Sequence, residues 1–322
     1  MKNSGFQFDW IVVGGGMSGI SVAEILSREG KNVLLLEKND QLASETSKDF
    51  HEWVHSGALY SLVPDNLLTL RYLLGATDDM AQYYGSFPRM NLSHTESGII
   101  ISGSGWFNRD NIIYKYRLHK LNPVWLSLVS RSISLIDMIN KHDWLRRRAG
   151  SEYGSSKIKF RHSFKHIGEQ LSSRKKFYSK MSPDFTMNSR LLISDILSAA
   201  LNKGLVVKTN SKVEKILEEN NTVKVIVGNK IYHAKDVVIC SPDAISEILG
   251  VRMKIGFAPM AIVENVPEEQ HSFVELDFYV KKCINLLKKD DGIGQIGGIT
   301  LNHEKDIENY LSYIISEHKK RN

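Results

Sequence analysis

A run of glycines, Gly14-Gly15-Gly16-Met17-Ser18-Gly19, stands directly between an apolar tetrapeptide, Trp10-Ile11-Val12-Val13, and a segment with helical spacing, Ile20 to Arg28. A short apolar run bounded by a turn reads as a strand covered on both faces. In the helical segment Ile20, Ala23, Ile25 and Leu26 are apolar, and Gly30 stands where a C-cap glycine ends a helix. Asn32-Val33-Leu34-Leu35-Leu36 reads as a second buried strand that finishes on Glu37. The order strand, tight turn, helix, strand leaves little freedom. The first glycine permits the turn, the second lets backbone approach a pyrophosphate, and the third lets helix and strand pack closely. The pyrophosphate then sits on the free N–H groups and positive end of the helix. An acid 23 residues after Gly14 accepts hydrogen bonds from ribose hydroxyls and repels a 2′-phosphate. The expectation is a Rossmann-type site for an adenine dinucleotide beginning at Phe8, contacted by Gly14, Gly16, Met17, Ser18, Gly19, Glu37 and Lys38.

Two other motifs compete for attention. Gly292, Gly294 and Gly297 repeat the glycine spacing, but Lys288-Lys289-Asp290-Asp291 precedes them and 25 residues follow Gly297. No second strand with its acid fits there, so these glycines are expected to let backbone approach something flat, ahead of a last helix from Glu304 to His318. His51-Glu52-Trp53-Val54-His55 satisfies the H-E-x-x-H pattern, which on a helix places two histidines on one face for zinc. Ser56-Gly57 would cut such a helix, and no third ligand stands at a familiar spacing. A zinc hydrolase is therefore set aside, and no metal site is expected.

With 322 residues the chain suits one large domain with a second inserted or appended. An N-cap candidate, Asp65, opens a helix to about Tyr84, and a long helix is expected from Pro123 to Arg148. Residues 86–189 are the least legible. From Arg190 the pattern clears, with a helix over Leu191–Asn202 and a strand at Leu205–Lys208. A hairpin follows across Asn220-Asn221, then a buried strand from Asp236 that stops sharply at Pro242. Later strands are expected near Pro259–Val266 and Phe273–Val280. The expected division is a dinucleotide-binding domain from 1–85, 190–250 and 292–322, and a second domain from 86–189 and 251–291.

The net charge of +6 is uneven. Lys141 to Lys180 holds twelve basic residues against Asp143, Glu152 and Glu169, so the remainder is slightly acidic. Such a run is ordinarily a solvated face; an anionic substrate or peripheral contact with an anionic membrane are the sharper readings. No nucleic-acid motif accompanies it, so nucleic acid is not expected as a partner. No secretory signal and no apolar window of about 18 residues is read. Two distant cysteines, Cys240 and Cys283, make no disulfide framework, and the expected compartment is the cytoplasm.

Three stretches, Phe8 to Lys38, Thr46 to Tyr60 and Asp236 to Pro242, together resemble the FAD-dependent oxidoreductases of the D-amino-acid oxidase and glycerol-3-phosphate dehydrogenase type. The resemblance covers roughly the first 75 and last 130 residues. It implies an α/β fold, with a Rossmann-type FAD-binding domain on a parallel sheet and a second α+β substrate domain. It implies Thr46, Ser47 and His51 on the flavin side and His55 beside the substrate. It implies Val213 holding the adenine through backbone atoms, and Gly294, Ile296 and Gly297 passing the flavin ring. Glycerol-3-phosphate dehydrogenases carry an arginine where this sequence has Leu59; the Leu59-Tyr60 end is more similar to the L-2-hydroxyglutarate branch. The implied activity is hydride transfer to flavin N5 from a small, anionic hydroxy acid, polyol or amine. His55 would be the base, since its ordinary pKa lies near neutrality. Arg117, Arg146 and Arg148 are available to meet an anion, and the electron acceptor is left open. Alternatives are an FAD enzyme acting on a sugar or natural product, a monooxygenase included, or a flavin-binding protein of low turnover.

Overall fold

The computed structural model describes residues 7–48, 52–54, 76, 79, 83, 92–95, 98–101, 107–117, 166–172, 175–219, 221–277, 282–289 and 292–320. The chain forms two compact units, Met1–Phe50 with Ser189–Ile255, and His51–Asn188 with Gly256–Asn322.

The first unit is built on β1 (Phe8–Val13), α1 (Met17–Arg28) and β2 (Val33–Leu36), as the glycine turn requires. It continues with α2 (Ser189–Asn202), β9 (Val206–Lys208), β10 (Lys215–Glu219), β11 (Thr222–Val227), β12 (Lys230–Ile239) and α3 (Pro242–Leu249). The six strands lie in the order β10-β11-β12-β1-β2-β9. β12, β1, β2 and β9 are parallel, and β10 and β11 extend the sheet as an antiparallel hairpin. Ile11, Val13, Leu34 and Leu36 alternate onto one face, where they pack with Val213, Val225, Tyr232 and Ala234 and receive Ala244 and Ile248 of α3. Val12 and Leu35 point to the opposite face and are fully buried. There α1 presents Gly19, Ile20, Ala23 and Ser27 and packs against α2.

Ser241-Pro242 ends β12 but also begins a helix: the Ser241 hydroxyl accepts from the Ala244 N–H, proline occupies the first turn, and Gly250 closes the helix at φ 64°. The same two residues that stop a strand are a serine N-cap and a proline first-turn signal.

The second unit holds β3 (Trp53–Val54), β4 (Leu92–Thr95), β5 (Gly98–Ile101), β6 (Phe107–Arg117), β7 (His166–Ser172) and β8 (Lys175–Met187). Residues after 255 add β13 (Ala261–Val263), β14 (Phe273–Asp277), β15 (Lys282–Lys288), β16 (Gly294–Gly297) and α4 (Ile307–Lys319). Its main sheet runs β13-β16-β15-β14-β6-β8-β3, with β7 on β8, while β4 and β5 pair with each other. The core beneath α4 joins Ile314 to Ile113, Val266, Phe273, Leu286 and Ile296. The division expected for residues 292–322 therefore shifts: β16 is hydrogen-bonded between β13 and β15, so the glycine-rich strand and the last helix belong to the second unit. The helices expected over 65–84 and 123–148 lie outside the described residues apart from 76, 79 and 83, which are helical.

Burial, and then the neighbouring Glu275 carboxylate, push the Cys283 thiol up to about 12. At pH 8 its thiolate fraction is then roughly 1,000-fold below that of an ordinary thiol. Alkylation by iodoacetamide at that pH is expected to spare Cys283 in the folded protein and to modify it fully in denaturant, as peptide mass mapping would read.

Candidate dinucleotide site

The turn between β1 and α1 is closed by contacts that exclude side chains. Gly14 adopts φ 106°, and its N–H donates to the Leu36 carbonyl at 2.8 Å. A Cβ at Gly19 would lie 1.8 Å from the Gly14 carbonyl oxygen, so only glycine lets α1 begin this close to the turn. Gly16 stands at the N-cap in extended backbone and no side chain caps the helix from there. One of the first-turn donors is met from elsewhere: Met17 N–H donates to Ser47 Oγ at 2.9 Å. Ser47, which the resemblance puts on the flavin side, thus lies beside the glycine turn. Ser18 is exposed on the first turn, and Thr46 is exposed in the following loop.

Glu37 is buried at the end of β2 and held from two directions. Its Oε2 accepts from Gly15 N–H at 2.6 Å and its Oε1 from Asn39 N–H at 2.9 Å. Each carboxylate oxygen has further lone pairs, so an oriented acceptor remains for ribose hydroxyls. Beside it Lys38 Nζ meets Asp243 at 2.7 Å and Glu45 at 3.0 Å. The Asp243 hydrogen bond first, then that of Glu45, hold the ammonium protonated well above its usual range, and Lys38 in turn lowers the Glu45 carboxyl. Lys38, expected as a direct contact, thus stands in an ion pair with Asp243 and Glu45.

An open groove runs along this edge, lined by Gly14, Lys38, Val213, Ser241, Asp243 and Ala244 among others. Among the described residues the Val213 N–H and C=O have no backbone partner outside the regular elements, while Ser211 N–H donates to Glu37 C=O and Glu214 N–H to Ile226 C=O on either side. A backbone edge left open in a groove suits adenine. The uncapped helix, the side-chain-free turn, the fixed carboxylate and this edge fit an adenine dinucleotide with Gly14–Gly19 on the diphosphate, Glu37 on ribose and Val213 at adenine. Ser241 and Asp243 went unread in the sequence; the serine-proline helix start was the signal that could have placed them.

The remaining predicted residues belong to the second unit or fall outside the described residues. Gly294 and Ile296 point into the core beneath α4, where a Cβ at Gly294 would meet Val266 at 2.8 Å and Leu286 at 2.9 Å. Gly297 faces the other side of that sheet, against Met260 and Asn285. All three are in the second unit, so the structure does not gather them with the residues around Gly14 in one sheet. His51 and His55 lie outside the described residues, as do Arg146 and Arg148. Between the histidines, Trp53–Val54 is a strand paired with Phe185 and Thr186, not a helix, so the H-E-x-x-H spacing does not put its ends on one helical face. Glu52 itself is buried, at φ 55°, and pairs with Lys289 at 3.1 Å. The neighbouring Trp53 Nε1 donates to the fully buried Asp184 at 2.8 Å, and Tyr114 hydroxyl donates to the same carboxylate oxygen.

Residues 9–153 match the family model described as FAD dependent oxidoreductase. The mitochondrial L-2-hydroxyglutarate dehydrogenase of Arabidopsis thaliana is 29% identical over 99 residues, which is 31% of this chain and 19% of that protein. The chain thus matches less than a fifth of this curated relative's length. Among solved structures, glycine oxidase from Bacillus cereus superposes with a TM-score of 0.60 at 14% identity, over 98% of this chain and 80% of the other. An L-alpha-glycerophosphate oxidase from Mycoplasma pneumoniae, solved with FAD bound, gives 0.58 at 16% identity, over 93% and 73%. The class defined by turn, carboxylate and groove is that of the dinucleotide-binding folds, and FAD is the cofactor in the matching family's description. Within that class the chain resembles, and shares the fold of, the FAD-dependent oxidoreductases of the D-amino-acid oxidase superfamily. No helix among the described residues is long and apolar enough to cross a membrane.

Proposed function

We propose that this protein is an FAD-dependent oxidoreductase, a dehydrogenase or oxidase, acting on a small substrate with a C–H bond beside a hydroxyl or amine. The reading is carried by one arrangement inside the family-matched residues: Glu37 fixed on Gly15 N–H, next to an uncapped α1 whose first N–H meets Ser47. FAD, when bound, supplies the hydride acceptor. The chain's own part is to orient the diphosphate on the first turn of α1, hold ribose on Glu37, and exclude side chains from the turn. The second unit is the substrate side in this reading. His55, the residue after β3, takes the hydroxyl or amine proton, and Arg117 at the end of β6 is available to an anionic substrate group. The electron acceptor is a separate small molecule or protein, and the basic 141–180 segment is a candidate for peripheral contact with an anionic membrane.

The purified protein is expected to be yellow, to release free FAD on acid precipitation, and to lose its visible absorption when an oxidisable hydroxy acid, polyol or amine is added without oxygen. Colourless protein carrying stoichiometric zinc would refute this. His55→Gln is expected to keep FAD bound and to slow substrate reduction of the flavin on the order of 10²–10⁴-fold, the usual share of a general base. Stopped-flow traces that match the unaltered protein would remove His55 from that role.

A further inference from the structure

The face of the second sheet turned away from α4 carries buried side-chain oxygens that have no hydrogen-bond partner among the described residues. Strand alternation assigns the faces. Phe273, Leu286 and Ile296 lie beneath α4. Val274, Asn285, Leu287 and Gln295, their neighbours in the chain, therefore point the other way. The register places Asn285 level with Val274 and Gly297, and Gln295 level with Leu287. Val274 is in turn level with Tyr114, the residue that donates to Asp184.

Asn285 is 1% exposed and Gln295 3%, yet Asn285 Oδ1 and Gln295 Oε1 have no hydrogen-bond partner among the described residues. Thr186 Oγ1, opposite Trp53 in the same sheet, is a third such atom in a residue 1% exposed. Buried polar side chains are almost always paired within a fold, so an unpaired pair on one face marks a role outside folding. Asn285 and Gln295 are diagonal neighbours on adjacent strands, about 7–8 Å apart, which lets both amides reach one small molecule. Gly297, level with Asn285, has no side chain of its own there: a Cβ would lie 3.1 Å from Met260 Cγ and 3.4 Å from Asn285 Oδ1. What the two open atoms share is a need for an N–H or O–H donor. A carboxylate or phosphate offers them none.

We propose that Asn285 and Gln295 form a donor-recognising subsite that binds the hydroxyl or ammonium end of a polyol or amine. This rests on the reading of the second unit as the substrate side, and it separates the polar end of the substrate from any acidic end met by arginine.

The test uses the whole protein, with serinol hydrochloride as the donor-rich probe and sodium acetate at equal ionic strength as the acceptor-only control. Thermal melting and calorimetric titration are recorded for the unaltered chain and for Asn285→Leu and Gln295→Met, which conserve volume. Serinol is expected to bind the unaltered protein and raise its Tm, with acetate inert. Each variant is expected to bind serinol at least tenfold more weakly and to melt, without ligand, at an equal or higher temperature, because an unpaired buried acceptor has been removed. Variants that melt well below the unaltered chain or fail to fold would assign the amides to the fold and overturn the proposal. So would absent serinol binding, equal binding of acetate, or variants that keep serinol affinity. FAD content is measured on the same samples: protein without FAD sinks the oxidoreductase reading, while the serinol result still decides the subsite.

Discussion

Gly19→Ala is expected to yield protein that has lost its cofactor and much of its stability. The new methyl would sit 1.8 Å from the Gly14 carbonyl oxygen, a backbone atom that cannot turn aside. Helix α1 must withdraw by more than 1 Å to reach ordinary contact, which is roughly the scale of overpacking that costs 1–3 kcal/mol or more. The withdrawal also moves the first-turn N–H groups away from the diphosphate, so FAD affinity should fall at least about tenfold, or 1.4 kcal/mol. Gly30→Ala is the control, because φ 76° there faces open space. It should cost about 1–2 kcal/mol from backbone conformation alone and leave FAD in place. Thermal melting and flavin retention after gel filtration read both. Gly19→Ala protein with full flavin and an unchanged Tm would show that the turn is not the diphosphate cradle.

Glu37→Gln should have the second largest effect. The carboxylate accepts from Gly15 on one oxygen and from Asn39 on the other. An amide keeps the shape but turns an NH₂ group toward one of these donors, leaving a buried N–H without an acceptor at a cost of about 1–3 kcal/mol. It also removes the charge that favours ribose hydroxyls. FAD affinity is expected to drop about 10–100-fold, equivalent to about 1.4–2.8 kcal/mol. Fluorescence titration of the apoprotein would measure it, and an unaltered Kd would take Glu37 out of the site.

The dinucleotide half was legible because its signals are local. A glycine turn between an apolar strand and a helix, with a second apolar strand ending on an acid, admits one geometry. The second half was less legible for identifiable reasons. In β6 the pairing with β8 shifts register between Phe107, Asn111 and Ile113, so Ile112, Ile113 and Tyr114 are buried in succession and the two-residue alternation is lost. The glycines at 294 and 297 looked like a surface for a flat ligand. Gly294 makes room for Val266, in the loop after β13, and for Leu286 of the neighbouring β15, and no local pattern announces that packing. Ser241-Pro242 was read as an end and is also a beginning, since strand stops and helix starts use the same residues.

The interleaving of the two units sets the order in which the chain can be finished as it is made. β1 pairs with β2 within its first 36 residues, but its other neighbour is β12, which ends at Ile239. At 5–20 residues per second a ribosome needs roughly 10–40 s to supply the intervening 200 or so residues. Throughout that interval the apolar edge of β1 has no parallel partner and is open to strangers. Pairings this distant in sequence also slow folding after release. The nascent chain is therefore a natural client for holding chaperones, and fragments ending before residue 239 should be recovered mainly as aggregates.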